Sequence, residues 1–399
     1  MTPSDFELNW AVSHIAKDSL RLSANVSEQE IHKAMFSLKP YKAPGMDRLH
    51  ARFFQHFWNV LGQSIIEAIL AVFHSKRIPN YLNQTLVVVI PKREGPKTLS
   101  YFRPISLCST IYKVISKITV NRIRPHMHHL ISPLQAAFIP GRKGLDNIIA
   151  QEVLHTMEKT KRRTRTMALK IDLEKAFDRL EWSFIHEVLV HFNFPKNIID
   201  IIMACISSTS VSILFNGGKL EPFTPTQGIC QGDPLSPYIF ILCLEYLGLL
   251  ILDKIADNTW KPVKDFRSGP SFPHLFFEDD LILFGQATRK NAQAIEEALS
   301  AFCALFGQKV SKDKSRILFS KNTSAENCKL VCHSLGILET NKFDQYLGFP
   351  LKFAGQGTRD FNFLFIEFNK SSQVGKQASF PLQEDRYLFN LHQTPYRIM

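Results

Sequence analysis

Residues 275–284 read Leu-Phe-Phe-Glu-Asp-Asp-Leu-Ile-Leu-Phe, so two apolar runs flank three consecutive acids. Two short apolar runs around a polar turn are typical of a β-hairpin. Such a hairpin would hold the carboxylates of Asp279 and Asp280 rigidly at its tip, pointing outward together. Acidic pairs in turns are usually just solvated, so the meaning of this pair depends on the residues around it.

Another acid ends a second predicted strand. The apolar stretch Met167–Ile171 runs directly into Asp172, and a helix is predicted from about Lys175 to His191. Three carboxylates at the ends of adjacent strands would form a hard-oxygen site of the kind that holds Mg²⁺. Two such ions about 4 Å apart can activate a hydroxyl and stabilise a leaving pyrophosphate. The pattern is typical of polymerases and some nucleases, with solvated turn residues as the alternative.

The composition favours a nucleic-acid partner. The chain has 399 residues, 45% of them apolar, which is enough for two or three sub-domains around a sizeable core. Lys and Arg number 48 against 36 Asp and Glu, which gives a net charge of +12. A surplus of this size attracts polyanions. The alternative is a soluble protein that is merely basic.

The cysteine pattern and the hydropathy argue against several other classes. Seven scattered cysteines without a CxxC pair do not form a disulfide framework, so a reducing compartment, cytosol or nucleus, is expected. Cys328, Cys332 and His333 have no second ligand pair at zinc-site spacing. The longest apolar run, Tyr238–Leu252, contains Glu245 and is shorter than the ~20 residues of a membrane span. It predicts a buried helix, and neither a membrane partner nor secretion is expected.

Several further elements can be predicted from local patterns. Ser27 and Glu30 form a capping box ahead of apolar residues at helical spacing. The β-branched run Leu86–Ile90 predicts a strand, and Ile111–Leu130 is predicted to be helical. The basic stretch Lys159–Arg165 is either a solvated linker or a contact for a nucleic-acid phosphate.

Three blocks of sequence resemble the catalytic motifs of non-LTR, LINE-type reverse transcriptases. Ala168-Leu-Lys-Ile-Asp-Leu-Glu-Lys-Ala-Phe-Asp178 resembles the first motif, and Gln231-Gly-Asp-Pro-Leu-Ser-Pro237 resembles the second. Phe277-Glu-Asp-Asp280 resembles the third, which is usually written F-A-D-D in this group. The three occur in the order of the family.

Weaker blocks on both sides extend the resemblance over nearly the whole chain. They are Lys42-Ala-Pro-Gly45 with Asp47, Ile90-Pro-Lys92 with Phe102–Leu107, Ala137-Phe138 with Gly141-Arg142, Lys309 with Asp313-Lys-Ser315, and Tyr346-Leu-Gly348 with Pro350-Leu351. Each block alone is weak, but eight in order are specific. Group II intron maturases and telomerase share the carboxylates, whereas the 42–47 block and the Arg103-Pro-Ile-Ser phrase favour LINEs. The amino-acid sequence of these motifs most resembles that of plant LINEs.

The resemblance implies an α+β fold, the right-hand polymerase with fingers, a palm built on an antiparallel sheet, and a partial thumb. It divides the chain into an N-terminal fingers extension over residues 1–80, fingers and palm over 81–351, and a partial, degenerate thumb over 352–399. It also implies the partners, which are an RNA template, a DNA primer and dNTPs. The oligomeric state is not predicted.

The resemblance also assigns the metal ligands. Asp172, Asp279 and Asp280 would be the catalytic acids and would hold two Mg²⁺ ions, with Mn²⁺ as a possible substitute. The main-chain carbonyl of Leu173 is a possible additional ligand. Elements of this kind prime on chromosomal DNA, so a nuclear or cytoplasmic location is expected.

Further residues would contact the nucleotide and the template. Phe177 matches the aromatic steric gate, whose ring would clash with a 2′-hydroxyl, although ordinary helix packing would also explain it. Gln231 and Gly232 would contact the template and the incoming nucleotide, since glycine allows close backbone approach. Lys314 would be a general acid toward pyrophosphate, or simply a surface charge. Candidates for triphosphate or template phosphates, with a solvated basic face as the alternative, are Arg103, Lys113 and Arg142.

The chain departs from the family at several positions. Glu278 stands where the family has a small apolar residue, and a fourth carboxylate would raise its neighbours' pKa values and repel a triphosphate. Other departures are Met46 and Arg48 for Pro and Gly, Gln227 and Cys230 for arginines, and Gln377 and Arg386 at thumb landmarks. Weakened or lost activity is therefore expected, from a fragment of a longer element. The alternatives are an impaired remnant that only binds nucleic acid, and a product that does not fold.

Overall fold

The computed structural model describes residues 15, 18–142, 146–159, 164–264, 271–343, 345–347 and 349–350. The predicted thumb and most of the basic stretch Lys159–Arg165 lie outside these residues. Within the described part, none of the helices combines the length and the apolarity that crossing a membrane would require.

The N-terminal part is helical. Helices α1 (Glu28–Ser37), α2 (Ala51–His56) and α3 (Trp58–Ser75) precede the first strand. The capping box is confirmed, because the Ser27 hydroxyl accepts from the main-chain N–H of Glu30 and the Glu30 carboxylate accepts from that of Ser27, at 3.3 and 3.0 Å. Ile31 and Met35 point into the common core and are fully buried.

The fingers contain a four-stranded sheet in the order β2-β1-β4-β5. Strand β1 pairs antiparallel with β2 and parallel with β4, which confirms the strand predicted at Leu86–Ile90. The strands are β1 (Gln84–Pro91), β2 (Phe102–Leu107), β4 (Ser210–Phe215) and β5 (Gly218–Lys219).

Helices surround the two sheets. Helix α9 is buried over most of its length up to Ile251, as its apolar sequence predicts. The helices are α4 (Thr110–Ile123), α5 (Met127–Leu130), α6 (Asp146–Lys159), α7 (Trp182–His191), α8 (Lys196–Ser207), α9 (Ser236–Ala256), α10 (Arg289–Phe306) and α11 (Ala325–Leu335).

The palm contains a five-stranded sheet in the order β11-β10-β3-β9-β8. Its long pairings, β10 with β3, β3 with β9 and β9 with β8, are antiparallel, and the predicted hairpin is β8 and β9. The strands of this sheet are β3 (Thr166–Ile171), β8 (His274–Phe277), β9 (Asp280–Gln286), β10 (Arg316–Phe319) and β11 (Leu338–Glu339). Two separate antiparallel pairs are β6 (Val263–Lys264) with β7 (Ser271–Phe272), and β12 (Gln345–Tyr346) with β13 (Phe349–Pro350).

Both faces of the palm sheet are buried, which explains why its strands are nearly all apolar. Met167, Leu169 and Leu283 face the main core. Ala168 and Phe284 face a second core that contains residues of α6. This arrangement of an antiparallel palm sheet, a fingers sheet and flanking helices is the predicted α+β right-hand fold.

Two predicted helices differ from the structure. The helix expected from Lys175 begins at Trp182, because residues before it form turns whose main-chain groups bond to other segments. The carbonyls of Phe177 and Leu180 accept from Ile229 and Gly228 at 2.9 and 2.8 Å, and Lys175 has a φ of 48°. The helix predicted over Ile111–Leu130 is interrupted after Ile123 by a 3₁₀ turn that contains a proline.

The loop between α1 and α2 has two positions at which the backbone geometry favours glycine. A Cβ on Gly45 would lie 2.5 Å from the main-chain nitrogen of Ser109, which is a steric clash. Arg48, which replaces a glycine of the family, has a φ of 59° in the left-handed region. Such a conformation costs a non-glycine residue about 1–2 kcal/mol.

We predict opposite effects of substitutions at these two positions. Gly45→Ala is expected to lower the free energy of unfolding by about 1–3 kcal/mol, because the backbone at Cys108 and Ser109 must shift. Arg48→Gly is expected to raise it by about 0.5–1 kcal/mol, since relieved strain exceeds the added chain entropy of glycine. Urea unfolding measures both, and equal midpoints for Gly45→Ala and wild type would contradict the clash.

Candidate active site

Three carboxylates meet at one edge of the palm sheet. Ile171 is directly opposite Leu281, so Asp172, which follows β3, lies beside Asp280, which begins β9. Asp279 lies in the two-residue turn between β8 and β9. The three aspartates line one cavity of about 410 Å³, together with Lys170, Ile171, Leu173, Lys314, Arg316, Thr340, Lys342 and Phe343.

The segment after α10 fixes the end of β3. The main-chain N–H of Asp172 donates to the Ser315 hydroxyl at 3.1 Å, and its carbonyl accepts from the N–H of Ser311 at 2.8 Å. Leu173 forms an isolated bridge with Val310. The two buried serines were not predicted as part of the site, although Ser315 belongs to a block that the sequence singled out.

The acidic turn is electrostatically crowded. Burial, followed by the charge of Asp279, raises the pKa of Glu278 to about 8, and Arg103 acts in the opposite direction. Desolvation within the surrounding protein also raises the pKa of Asp279, even though its side chain remains exposed, and Asp172 adds to this. Burial, Asp279 and Asp172 raise the pKa of Asp280. Neighbouring negative charges therefore add to burial in disfavouring the ionisation of Glu278, Asp279 and Asp280.

The donor set suits a hard divalent cation. Within the described residues, no three His, Cys, Asp or Glu side chains are grouped closely enough to hold a metal ion as they stand. Asp172, Asp279 and Asp280 nevertheless share one cavity and interact electrostatically. A cation among them would offset their mutual repulsion, and carboxylate oxygens are the ligands that Mg²⁺ prefers.

The loop before α9 packs against β2. The N–H of Ser106 donates to the carbonyl of Gln231 at 2.8 Å. Gly232 has a φ of 123°, and a Cβ there would lie 2.7 Å from the Ser106 carbonyl oxygen. Gly232 thus allows the close approach of the Ser106 carbonyl, which belongs to the protein's own backbone.

Asp233 anchors this loop and was missed by the sequence reasoning. Its buried carboxylate accepts from the Tyr112 hydroxyl at 2.9 Å, from the Ser116 hydroxyl, and from the N–H of Leu235 at 3.2 Å. Burial raises the pKa of Asp233, whereas these hydrogen bonds lower it. No role was assigned to it, although it lies within the block Gln231–Pro237 that resembles the second motif.

Phe177 lies in the turn after Asp172 rather than in a helix. Its ring stacks on Phe240, with centroids 4.8 Å apart and planes at 11°. The side chain is 9% exposed, so only a small part of the ring reaches solvent.

Four basic residues were predicted to contact the substrates, and two of them, Lys314 and Arg103, lie near the acidic side chains of the site. The Lys314 ammonium is 3.7 Å from the Asp172 carboxylate, an exposed pair that stabilises the fold little. Arg103 is exposed at the edge of β2, and its charge acts on Glu278 and Asp279.

The other two predicted phosphate contacts are engaged elsewhere. The Lys113 ammonium donates to the carbonyl of Ala43 at 3.2 Å, in the loop between α1 and α2. The Arg142 guanidinium donates to the carbonyls of His128, Ile131, Ser132 and Gln135. Both side chains therefore bond to main-chain carbonyls, and their predicted contact with phosphates stays a prediction.

The comparison with family models identifies the chain. The model described as reverse transcriptase (RNA-dependent DNA polymerase) matches residues 90–351, more than half of the sequence. The chain therefore belongs to the reverse transcriptase family.

Curated relatives narrow the class. The chain is similar to an uncharacterized 149 kDa protein of transposon TX1 from Xenopus laevis, 25% identical over 361 residues, which are 90% of this chain and 27% of that protein. It is also similar to the Pol polyprotein of the type-2 retrotransposable element R2DM of Drosophila melanogaster, 25% identical over 372 residues, 93% of this chain and 33% of that protein. The domain is thus of the non-LTR retrotransposon type, and it spans about a third or less of these relatives.

The raised pKa of Glu278 predicts a pH dependence of stability. A carboxyl group whose pKa rises on folding, here from 4.5 to about 8, stabilises the fold below its unfolded pKa, and the contribution is lost as the pH rises through the folded value. The melting temperature of Glu278→Gln is therefore expected to rise relative to that of wild type as the pH increases from about 5 to about 9. The matched control is Glu221→Gln, in an exposed loop. If the difference in melting temperature between Glu278→Gln and wild type changed no more with pH than that of the control, the raised pKa of Glu278 would be contradicted.

Proposed function

We propose that the chain is the polymerase domain of a plant LINE-type retrotransposon and that it adds dNTPs to the 3′ end of a DNA primer on an RNA template. The observation that carries the proposal is the shared cavity of Asp172, Asp279 and Asp280 at the edge of the palm sheet, in a chain of the reverse transcriptase family. The plant origin is supported by the motif phrasing. A mitochondrial protein of Arabidopsis thaliana is also 39% identical over 67 residues, 17% of this chain and 55% of that protein.

The division of the chain is proposed as the resemblance implies it. Residues 1–80 would extend the fingers, 81–351 would form fingers and palm, and 352–399 would begin the thumb. The family match begins at residue 90. The first helices contribute to the same core as the palm. In addition, the Arg122 guanidinium of α4 binds the Glu30 carboxylate of α1 at 2.9 Å.

The proposed cofactor is Mg²⁺, as two ions, with Mn²⁺ as a substitute. Asp172, Asp279, Asp280 and the carbonyl of Leu173 would hold it, and it would supply an activated primer hydroxyl and charge neutralisation for the triphosphate. Lys314, beside Asp172, would donate a proton to the departing pyrophosphate.

Other residues would position the substrates. Arg103 would bind the triphosphate on the fingers side of the acidic turn, where its charge already acts on Glu278 and Asp279. Gln231 and Gly232 would contact the template and the incoming nucleotide. Phe177 would exclude a 2′-hydroxyl.

An impaired remnant that only binds nucleic acid is the second candidate, and Glu278 favours it. Because its pKa is about 8, this side chain is mostly neutral at pH 7 and becomes anionic as the pH rises. The triphosphate would then meet a fourth negative charge, so repulsion should grow above neutral pH.

Primer extension on an RNA template with Mg²⁺ tests both candidates. We expect Glu278→Ala to extend faster than wild type, with the ratio increasing about tenfold between pH 7 and pH 9 as Glu278 ionises. Asp279→Asn is the inactive control, and Glu221→Ala is the control for loss of an acid elsewhere. Salt-dependent RNA binding without extension by either protein would favour the remnant. Equal extension rates for wild type and Glu278→Ala at every pH would contradict the proposed repulsion between Glu278 and the triphosphate.

The steric gate can be tested through nucleotide choice. Phe177→Val is expected to raise the ratio of rNTP to dNTP incorporation by about tenfold or more, since the smaller side chain leaves room for a 2′-hydroxyl. Phe240→Leu is the matched control, because it removes the stacking partner and leaves the gate. Equal ratios in the two variants would show that Phe177 acts only in packing.

A further inference from the structure

Gln135 lies beside the catalytic hairpin and has no assigned role. It belongs to the loop between α5 and α6, and its segment runs along β8 as an additional parallel bridge, with Gln135 opposite Phe276. The N–H of Phe276 donates to the carbonyl of Leu134 at 2.8 Å, and the N–H of Ala136 donates to the carbonyl of Phe276 at 3.3 Å. The loop is therefore attached to the strand that carries the acidic turn.

The side chain of Gln135 reaches the turn itself. Its Oε1 accepts from the N–H of Ala137 at 3.0 Å and from the N–H of Glu278 at a longer 3.4 Å. Glu278 is the residue at which the hairpin reverses, and its φ of 55° lies in the left-handed region that disfavours a side chain. An acceptor fixed at this N–H holds the peptide in that orientation.

The carboxamide is buried although its hydrogen bonding is incomplete. Gln135 is 1% exposed, and among the described residues its Nε2 has no hydrogen-bond partner. A buried donor without a partner costs free energy, so an apolar residue would suit a purely packing role better. The side chain therefore matches the needs of the turn more closely than those of the core.

Arg142 fixes Gln135 from the other side. Its guanidinium donates to the carbonyl of Gln135 and to three more carbonyls, that of His128 in α5 and those of Ile131 and Ser132 in the same loop. A planar fork with five donors can join four carbonyls, whereas a lysine could not. A continuous set of hydrogen bonds thus connects Arg142, Gln135 and the tip of the hairpin.

We propose that Gln135, held by Arg142, is a positioning residue for the catalytic turn. It keeps the Glu278 peptide oriented so that Asp279 and Asp280 stay beside Asp172 despite their repulsion. The inference rests on the proposed polymerase function for its effect on catalysis, but the positioning itself can be measured without activity.

Hydrogen exchange of the hairpin tests the positioning directly. In Gln135→Leu, the amides of residues 276–280 are expected to exchange about tenfold faster than in wild type, while other strands of the palm keep their rates. Gln55→Leu is the matched control, because Gln55 also bonds to main-chain groups, the carbonyls of Met35 and Leu38, at 3.1 and 3.0 Å but far from the turn. Unchanged exchange in the hairpin of Gln135→Leu would overturn the proposal, whether or not the protein polymerises.

Kinetics distinguish positioning from general destabilisation. Gln135→Leu is expected to lower kcat about tenfold at an unchanged KM for dNTP and unchanged RNA binding. Gln135→Glu keeps the acceptor oxygens, so it should keep the exchange protection, but its charge should move the acid limb of the pH profile to higher pH. An equal loss of kcat in Gln135→Leu and Gln55→Leu would contradict a specific role. If wild type and all variants lack activity while the exchange result holds, the proposed function fails and the positioning stands.

Discussion

Mutual repulsion among four carboxylates at the edge of the palm sheet is the constraint on which the surrounding structure depends. Asp172, Asp279 and Asp280 line one cavity, and Glu278 adds a fourth acid to the same turn. Carboxylates that repel one another would move apart on a flexible support. The sheet beneath them is apolar on both faces and packed between two cores, so the strands that carry the acids cannot easily yield.

The loops that support this edge use hydrogen bonds rather than opposite charges. Ser311 and Ser315 bind the main chain of Asp172, and Gln135 binds the main chain of Glu278. Asp233 fixes the neighbouring loop through two hydroxyls. The serine hydroxyls and the Gln135 carboxamide are neutral, so they orient the backbone without neutralising the carboxylates, which leaves the negative charge of the site for a cation.

The parts of the fold that follow from local pattern were predictable, and the parts that follow from distant contacts were not. The strands at 86–90 and 167–171 and the hairpin at 275–284 are visible as apolar runs, and their places are confirmed. The turn at Lys175 is not visible, because its main chain bonds to segments more than 40 residues away. The carbonyl contacts of Arg142 and Lys113 were not predictable for a related reason, because a basic residue in a sequence does not reveal which main-chain carbonyls it will meet. Asp233 escaped notice because burial of a carboxylate depends on hydroxyls contributed by another helix.

The parallel pairing of β1 with β4 bears on the order in which the chain acquires its structure. Strand β1 ends at Pro91, whereas β4 begins at Ser210, and the first strand of the palm lies between them in sequence. During synthesis, β1 and β2 can form only an open ribbon until β4, more than 100 residues later, has left the ribosome. Closing such a long loop is entropically costly and slow. The growing chain therefore exposes the apolar edge of β1 for an extended time, and its folding yield would depend on how well that edge is shielded from other chains.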